Sequence, residues 1–105
     1  MDFTAEFLWN LGAVLLQVLP LFSGLALIIA MLSIAIGRLE RWSVGDSLYF
    51  GFITALTVGY GDLRPTTGIN KVLAIVIALF GLITSGILVA IAVEVLSMTF
   101  QARAG

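Results

Sequence analysis

The chain of 105 residues contains no cysteine, no histidine and few charged residues. Without cysteine it cannot form disulfides or use thiol chemistry, and without either residue the usual zinc sites are excluded. Charged residues make up only 10% of the chain, whereas about a quarter is usual in soluble domains. Five basic residues are set against six acidic ones, which leaves no positive surface for a nucleic acid.

Hydrophobic residues dominate instead, at 61% of the chain. This composition predicts an all-α membrane protein in contact with a lipid bilayer, and the length allows a single domain over residues 1–105. No basic residue precedes Arg38, and the chain opens with Asp2 and Glu6. A secretory signal begins with a basic region, so we interpret the N-terminal segment as part of the mature protein.

The first membrane span is predicted from the uncharged run over residues 11–37. A helix of that length measures about 40 Å, longer than the hydrocarbon thickness of about 30 Å. Pro20 divides the run, because proline either kinks a membrane helix or begins one. Two interpretations follow: one kinked outer helix over about 11–38, which we favour, or a short interfacial helix over 3–18 followed by a span from Pro20.

A shorter helix is predicted over residues 44–56. Ser43 and Asp46 resemble a capping box at its start. Thirteen residues reach only about 20 Å, too short to cross a bilayer. A short apolar helix that runs into polar, irregular backbone is typical of a re-entrant segment, which membranes tolerate only inside protein or beside a water-filled cavity.

The second span lies between Lys71 and Glu94, which enclose 22 uncharged residues. It predicts an inner helix over about 67–99 that Thr66 or Thr67 caps at its start. The order along the chain is therefore outer helix, re-entrant helix, polar loop and inner helix.

The polar loop holds the motif Thr57-Val58-Gly59-Tyr60-Gly61-Asp62. Gly59 and Gly61 accept φ above zero, so consecutive carbonyls of residues 57–62 can face one axis. Such a file of oxygens is useful only where several copies meet, which indicates a homotetramer. A tight glycine turn would explain the glycines alone, but the two flanking spans favour a selectivity filter.

The motif and its context resemble the potassium channel family of the two-span type. The resemblance implies that permeant K⁺ is the bound ion and that no organic cofactor is needed. It assigns K⁺ coordination to the backbone carbonyls of Thr57, Val58, Gly59 and Tyr60 and to the Thr57 hydroxyl. Tyr60 occupies a position that is Tyr or Phe in potassium-selective filters. Support of the filter is expected from Gly61, Asp62, Tyr49 and Ile53.

Three positions depart from common patterns of that family. Leu56 replaces a frequent Thr, and Tyr49 with Phe50 replaces a frequent pair of Trp. Ile53 stands where some members have a Glu that binds the acid equivalent to Asp62. We therefore hypothesise that the Tyr49 hydroxyl is a substitute partner for Asp62 and that slow inactivation is altered.

On the inner helix, Gly81 matches a hinge position of the family, although glycine in membrane helices equally often permits close packing. Ser85 lies a turn further on and is a second gating residue by resemblance. Glu94 is either a cation-concentrating or proton-sensitive element at the inner mouth, or an acid that simply reaches water at the headgroup level. The cavity and inner passage are expected to be lined by Leu82, Ser85, Val89 and Val93.

Basic residues conflict with the orientation that the resemblance implies. Four of the five flank the central loop, which by the positive-inside rule would lie in the cytoplasm. The family places this loop outside, and we follow the family. We expect these residues and Glu40 to form a solvated outer surface; the basic ones are Arg38, Arg41, Arg64 and Lys71.

The sequence thus predicts a potassium-selective pore subunit that conducts K⁺ passively, and not an enzyme, because no nucleophile–base arrangement is present. A weakly selective cation channel and a non-conducting membrane assembly subunit stay open as alternatives, and a potassium-transporter subunit fits poorly. The gating stimulus is not predicted, and a regulatory domain outside this sequence stays open as a further partner. The compact chain favours the cell membrane of a prokaryote.

Overall fold

A computed structural model describes residues 2–104, which form four α-helices and no strand. In chain order these are α1 (Phe3–Gln17), α2 (Leu19–Glu40), α3 (Val44–Ala55) and α4 (Gly68–Ala104). Within that part of the chain, α2 and α4 are long and apolar enough to cross a membrane. The prediction of an all-α fold with two spans is confirmed.

The favoured single outer helix over 11–38 was wrong. Helix α1 ends at Gln17 and α2 begins at Leu19, with Val18 between them at φ −96° and ψ 5°. The physical reason is Pro20, which lies in the first turn of α2 and has no N–H to donate to the preceding turn. The boundaries match the second interpretation, a helix over 3–18 followed by a separate span.

The two outer helices run antiparallel to α4 along nearly its whole length. At one end Glu6 forms an ion pair with Arg103, and at the other Glu40 accepts a hydrogen bond from Asn70. The molecule is accordingly elongated, with extents of 57 × 21 × 18 Å. Helix α2 contacts α3 and α4, whereas α1 contacts mainly α4.

Both predicted helix caps are present. The Ser43 side chain accepts a hydrogen bond from the Asp46 N–H at 3.0 Å, which fixes the start of α3. The Thr67 side chain accepts one from the Asn70 N–H at 3.2 Å, at the start of α4. Helix α4 continues past the predicted end at residue 99 to Ala104, because its last turns pack against α1.

A buried apolar cluster joins α2, α3 and α4. Three isoleucines contribute to it together with Phe50 of α3, whose ring lies 5.1 Å from that of Trp42 in the α2–α3 connection. Burial of a large side chain contributes about 1.5–3 kcal/mol, so this cluster is the main apolar attachment of α3. The isoleucines are Ile29, Ile36 and Ile77.

Pairs of small residues bring α2 and α3 into close contact. Ser33 and Gly37 are one turn apart on α2, and Ser47 and Gly51 are one turn apart on α3. Each glycine receives the opposite serine: the Cβ of Ser47 would lie 2.6 Å from a Cβ on Gly37, and the Cβ of Ser33 would lie 2.6 Å from one on Gly51. Small residues permit this close approach of helices in membranes.

Candidate functional site

Helix α3 packs against both spans and ends well before the far end of α4. Both ends of the segment between α2 and α4 lie at the same end of the molecule, because Glu40 is bonded to Asn70. The other end of α3 meets α4 at Gly81, where an added Cβ would lie 2.6 Å from the carbonyl carbon of Ala55. Gly81 is about 20 Å along α4 from its start. The chain therefore goes in as a helix and returns as irregular backbone, as a re-entrant segment does.

The glycines of the returning segment are in the left-handed region. Gly59 has φ 56° and Gly61 has φ 83°. Thr57 has φ 63° as well, which is uncommon for a β-branched residue and costs about 1–3 kcal/mol. Such strain concentrates at functional sites, and no feature of the sequence indicated it at Thr57. Every residue from 56 to 62 is exposed in the single chain.

The end of α3 anchors this segment through backbone hydrogen bonds. The Ile53 carbonyl accepts from the Val58 N–H at 2.8 Å and from the Gly59 N–H at 3.3 Å. The Thr57 N–H donates to the Thr54 carbonyl at 3.2 Å, and the Thr57 hydroxyl donates to the Leu56 carbonyl at 2.6 Å. Ile53 thus contributes through its backbone oxygen, whereas the prediction concerned its side chain.

Tyr49 and Asp62 interact across the outer part of the segment. Desolvation raises the pKa of the Tyr49 phenol, and so do a hydrogen bond to Asp62 and the negative charge of that carboxylate. Tyr49 belongs to α3 and Asp62 to the returning backbone, so this coupling links the two arms of the re-entrant segment. It has the direction that the hypothesis of a substitute partner for Asp62 requires, and that hypothesis stays a prediction.

We expect Tyr49→Phe to change slow inactivation, because it removes the hydroxyl that Asp62 binds and keeps the ring. Single-channel or macroscopic currents during long openings would measure the rate of decay. Phe52→Tyr is a suitable control, since it adds one hydroxyl to a side chain of α3 that is 45% exposed. Equal decay rates in the wild type and Tyr49→Phe would contradict the expectation.

Glu40 holds the outer ends of the two spans and the returning loop together. Its carboxylate accepts from the Thr66 N–H at 2.7 Å, from the Thr66 hydroxyl at 2.9 Å and from the Asn70 amide at 2.9 Å. Asn70 is fully buried. Glu40 is half-buried at the surface, as expected, and in addition its carboxylate forms these hydrogen bonds, which the sequence interpretation did not include. The four basic residues around the loop are exposed as expected; they are Arg38, Arg41, Arg64 and Lys71.

Glu40→Gln is expected to loosen the outer loop and lower the thermal stability of the assembled protein. The amide keeps one acceptor oxygen, but its NH₂ group cannot accept the hydrogen bond that the second carboxylate oxygen receives from the Thr66 hydroxyl. Thermal unfolding in detergent would measure the shift of the midpoint. Arg38→Gln, an exposed charge change on the same helix, should leave the midpoint unchanged. Identical midpoints for both variants would refute the assignment.

The predicted gating and cavity residues all lie on α4, which is a continuous helix through Gly81 and Gly86. Ser85 is half-buried and lines a cavity of about 200 Å³ under the end of α3. Glu94 is exposed, beyond the apolar stretch of the helix. The remaining cavity residues are more than half exposed in the single chain; they are Leu82, Val89 and Val93.

Comparison with known proteins identifies the family. The sequence profile described as "Ion channel" matches residues 18–98. The open rectifier potassium channel protein 1 of Drosophila melanogaster is 36% identical over 62 residues, which are 59% of this chain and 6% of that protein. The two-pore potassium channel 5 of Arabidopsis thaliana is 46% identical over 43 residues, 41% of this chain and 10% of that protein. A voltage-gated potassium channel of Aeropyrum pernix is 50% identical over 40 residues, 38% of this chain and 14% of that protein.

The chain thus spans no more than 14% of the length of these relatives. They include animal and plant proteins, so they do not support the predicted prokaryotic origin. No solved structure matches at a significant level. The profile covers most of the chain, from the break before α2 to the last turns of α4. The chain belongs to the ion channel family and, within it, to the two-span potassium channel pores.

Proposed function

We propose that this chain is one subunit of a homotetrameric pore in the cell membrane that conducts K⁺ selectively and passively. The observation that carries the proposal is the returning segment 57–62, with Gly59 and Gly61 at positive φ and its start hydrogen-bonded to the end of a re-entrant helix. Glycine at positive φ serves tight turns as well as backbone that approaches a ligand closely, and the re-entrant context favours the second role here. The re-entrant arrangement supports placing this segment in the ion pathway.

The chemistry follows from the cost of dehydrating an ion. A bare cation in low dielectric loses tens of kcal/mol of hydration, so other oxygens must replace the water. One loop cannot surround an ion, but four loops around an axis form rings of carbonyl oxygens, as in K⁺ channels generally. In this proposal the rings come from residues 57–60, and the Thr57 hydroxyl closes the inner end.

The surrounding residues have supporting roles in the proposal. Tyr49 and Asp62 brace the outer end of the filter, and the end of α3 directs its negative helix dipole toward a cation in the cavity below. The exposed face of α4 then lines the inner passage, and the re-entrant loop faces the outside of the cell.

Ion flux into reconstituted vesicles tests the proposal. Purified protein in liposomes should show Ba²⁺-sensitive K⁺ flux that greatly exceeds Na⁺ flux under opposed gradients. Gly61→Ala should abolish this selective flux, because alanine at φ 83° costs about 1–2 kcal/mol in each chain and displaces the carbonyls. Gly68→Ala is the matched control, since a Cβ there meets nothing within 4 Å and the backbone has no positive φ.

Two results would contradict the proposal in different ways. Comparable K⁺ and Na⁺ flux would indicate a weakly selective cation channel on the same scaffold. Absence of Ba²⁺-sensitive flux from purified tetramers would indicate a non-conducting assembly subunit. Native mass spectrometry in nanodiscs would establish whether the vesicles contained tetramers.

A further inference from the structure

The parts of the chain outside the family match contact each other. The match covers residues 18–98, so it leaves out α1 and the last turn and a half of α4. These two segments are 80 residues or more apart in sequence, yet α1 packs along the end of α4 and only slightly against α2. This pairing is therefore a feature of this chain beyond the matched pore.

One partly buried hydrogen bond forms the centre of the contact. The Asn10 amide donates to the Thr99 hydroxyl at 3.1 Å, and that hydroxyl donates to the Val95 carbonyl at 2.8 Å. Thr99 and Val95 are fully buried. The Thr99 hydroxyl thus acts as donor and acceptor at once.

Two contacts flank this hydrogen bond toward the chain ends. The rings of Phe3 and Phe100 lie 4.6 Å apart, and Glu6 pairs with Arg103 at 3.0 Å. The ion pair is largely exposed and contributes little by itself. Its position nevertheless fixes the antiparallel register of the two helices. We call these three contacts, with their six side chains, the clasp.

We propose that α1 is a strap that holds the inner end of α4 through the clasp and so sets how wide the inner mouth opens. This rests on the proposed function, in which the inner ends of four copies of α4 surround the ion pathway. The backbone connects α1 to α2 only through the break at Val18, next to Pro20. Helix α1 can therefore move together with the end of α4 or separate from it.

Loosening the clasp is the first test. Asn10→Leu and Thr99→Val each remove the hydrogen bond, and each should change K⁺ flux about threefold in the same direction, within the size expected of one protein hydrogen bond. The double variant should change flux no further, because both single variants remove the same bond. Exchanging the partners, Asn10→Thr with Thr99→Asn, should restore flux toward the wild type.

Locking the clasp is the second test. Because the chain has no cysteine, a disulfide can form only between introduced thiols. Oxidised Asn10→Cys/Thr99→Cys should shift flux in the direction opposite to the loosened variants, and reductant should reverse the shift. Trp9→Cys/Thr99→Cys is the control, since Trp9 is 72% exposed and points away from the contact.

Hydrogen exchange of the amides near residue 100 separates this proposal from the proposed function. The loosened variants should exchange these amides about threefold faster whether or not the protein conducts. Unchanged exchange, or unchanged flux after complete crosslinking of a conducting protein, would overturn the strap. Faster exchange in a protein that carries no flux would overturn the proposed function and leave the strap in place.

Discussion

Gly81→Ala is expected to destabilise the docking of the re-entrant helix by about 3 kcal/mol in each chain, near the upper end of overpacking costs. An added Cβ would lie within contact distance of the Ala55 carbonyl oxygen and Cα, and 2.6 Å from its carbonyl carbon. These are backbone atoms at the end of α3, so no side-chain rotation can relieve the collision. We expect loss of assembled protein and of flux, measured by size exclusion and vesicle assays.

Gly86→Ala is the matched control on the same helix. A Cβ there meets nothing within 4 Å, and alanine favours a helix over glycine by about 1 kcal/mol. The pair also separates the two roles considered for Gly81. If Gly81 is only a hinge, Gly81→Ala should alter opening while the assembly stays as stable as the wild type. That result would contradict the packing role.

Gly51→Ala has the second largest expected effect, with Gly37→Ala close to it. In each case the new methyl group would lie 2.6 Å from the Cβ of a serine on the opposite helix. A serine Cβ cannot rotate away, so α2 and α3 must separate. We expect a loss of about 2–3 kcal/mol per chain, seen as a lower midpoint of thermal unfolding.

A compensating substitution tests the reciprocal pairing directly. Ser33→Gly combined with Gly51→Ala moves a small side chain from α2 to α3 and should recover part of the lost stability, less about 1 kcal/mol for the added helical glycine. Gly12→Ala is the control, because that glycine has open space around it. If the combined variant were no more stable than Gly51→Ala alone, the proposed contact between the helices would be wrong.

The local architecture of the pore was predictable from the sequence. Helix α3 was expected over 44–56 and spans Val44–Ala55, because the Ser43 cap and the onset of irregular backbone are local signals. The glycines of the motif 57–62 also adopt positive φ, a conformation that glycine accepts without strain. The family of the chain followed from the same short segment.

Features that depend on contacts between distant residues were not predictable. Ser33, Gly37, Ser47 and Gly51 were visible as small residues one turn apart, but the sequence does not say which helix faces which. Glu40 resembled its charged neighbours until its partners 26 and 30 residues away were known. The late end of α4 at Ala104 depends likewise on α1, since the end of a helix is decided by what it packs against.

The sequence contained a signal for the break at Val18, a proline, but the favoured interpretation treated it as a kink. Proline in a membrane helix permits both a kink and a new start. The uncharged run exceeds one membrane thickness, which is compatible with a tilted single helix and with a span over only part of the run. In the structure, the part of the uncharged run that precedes the span belongs to α1, which lies along the inner end of α4 and contributes to the clasp.

The reversal potential of the purified protein in a planar bilayer, with K⁺ on one side and Na⁺ on the other, tests the central claim most directly. If tetramers present backbone oxygens of 57–60 to dehydrated K⁺, the potential should approach that of a K⁺ electrode, and Gly61→Ala should remove the current or bring the potential to zero. A wild-type current that reverses near zero would contradict the account.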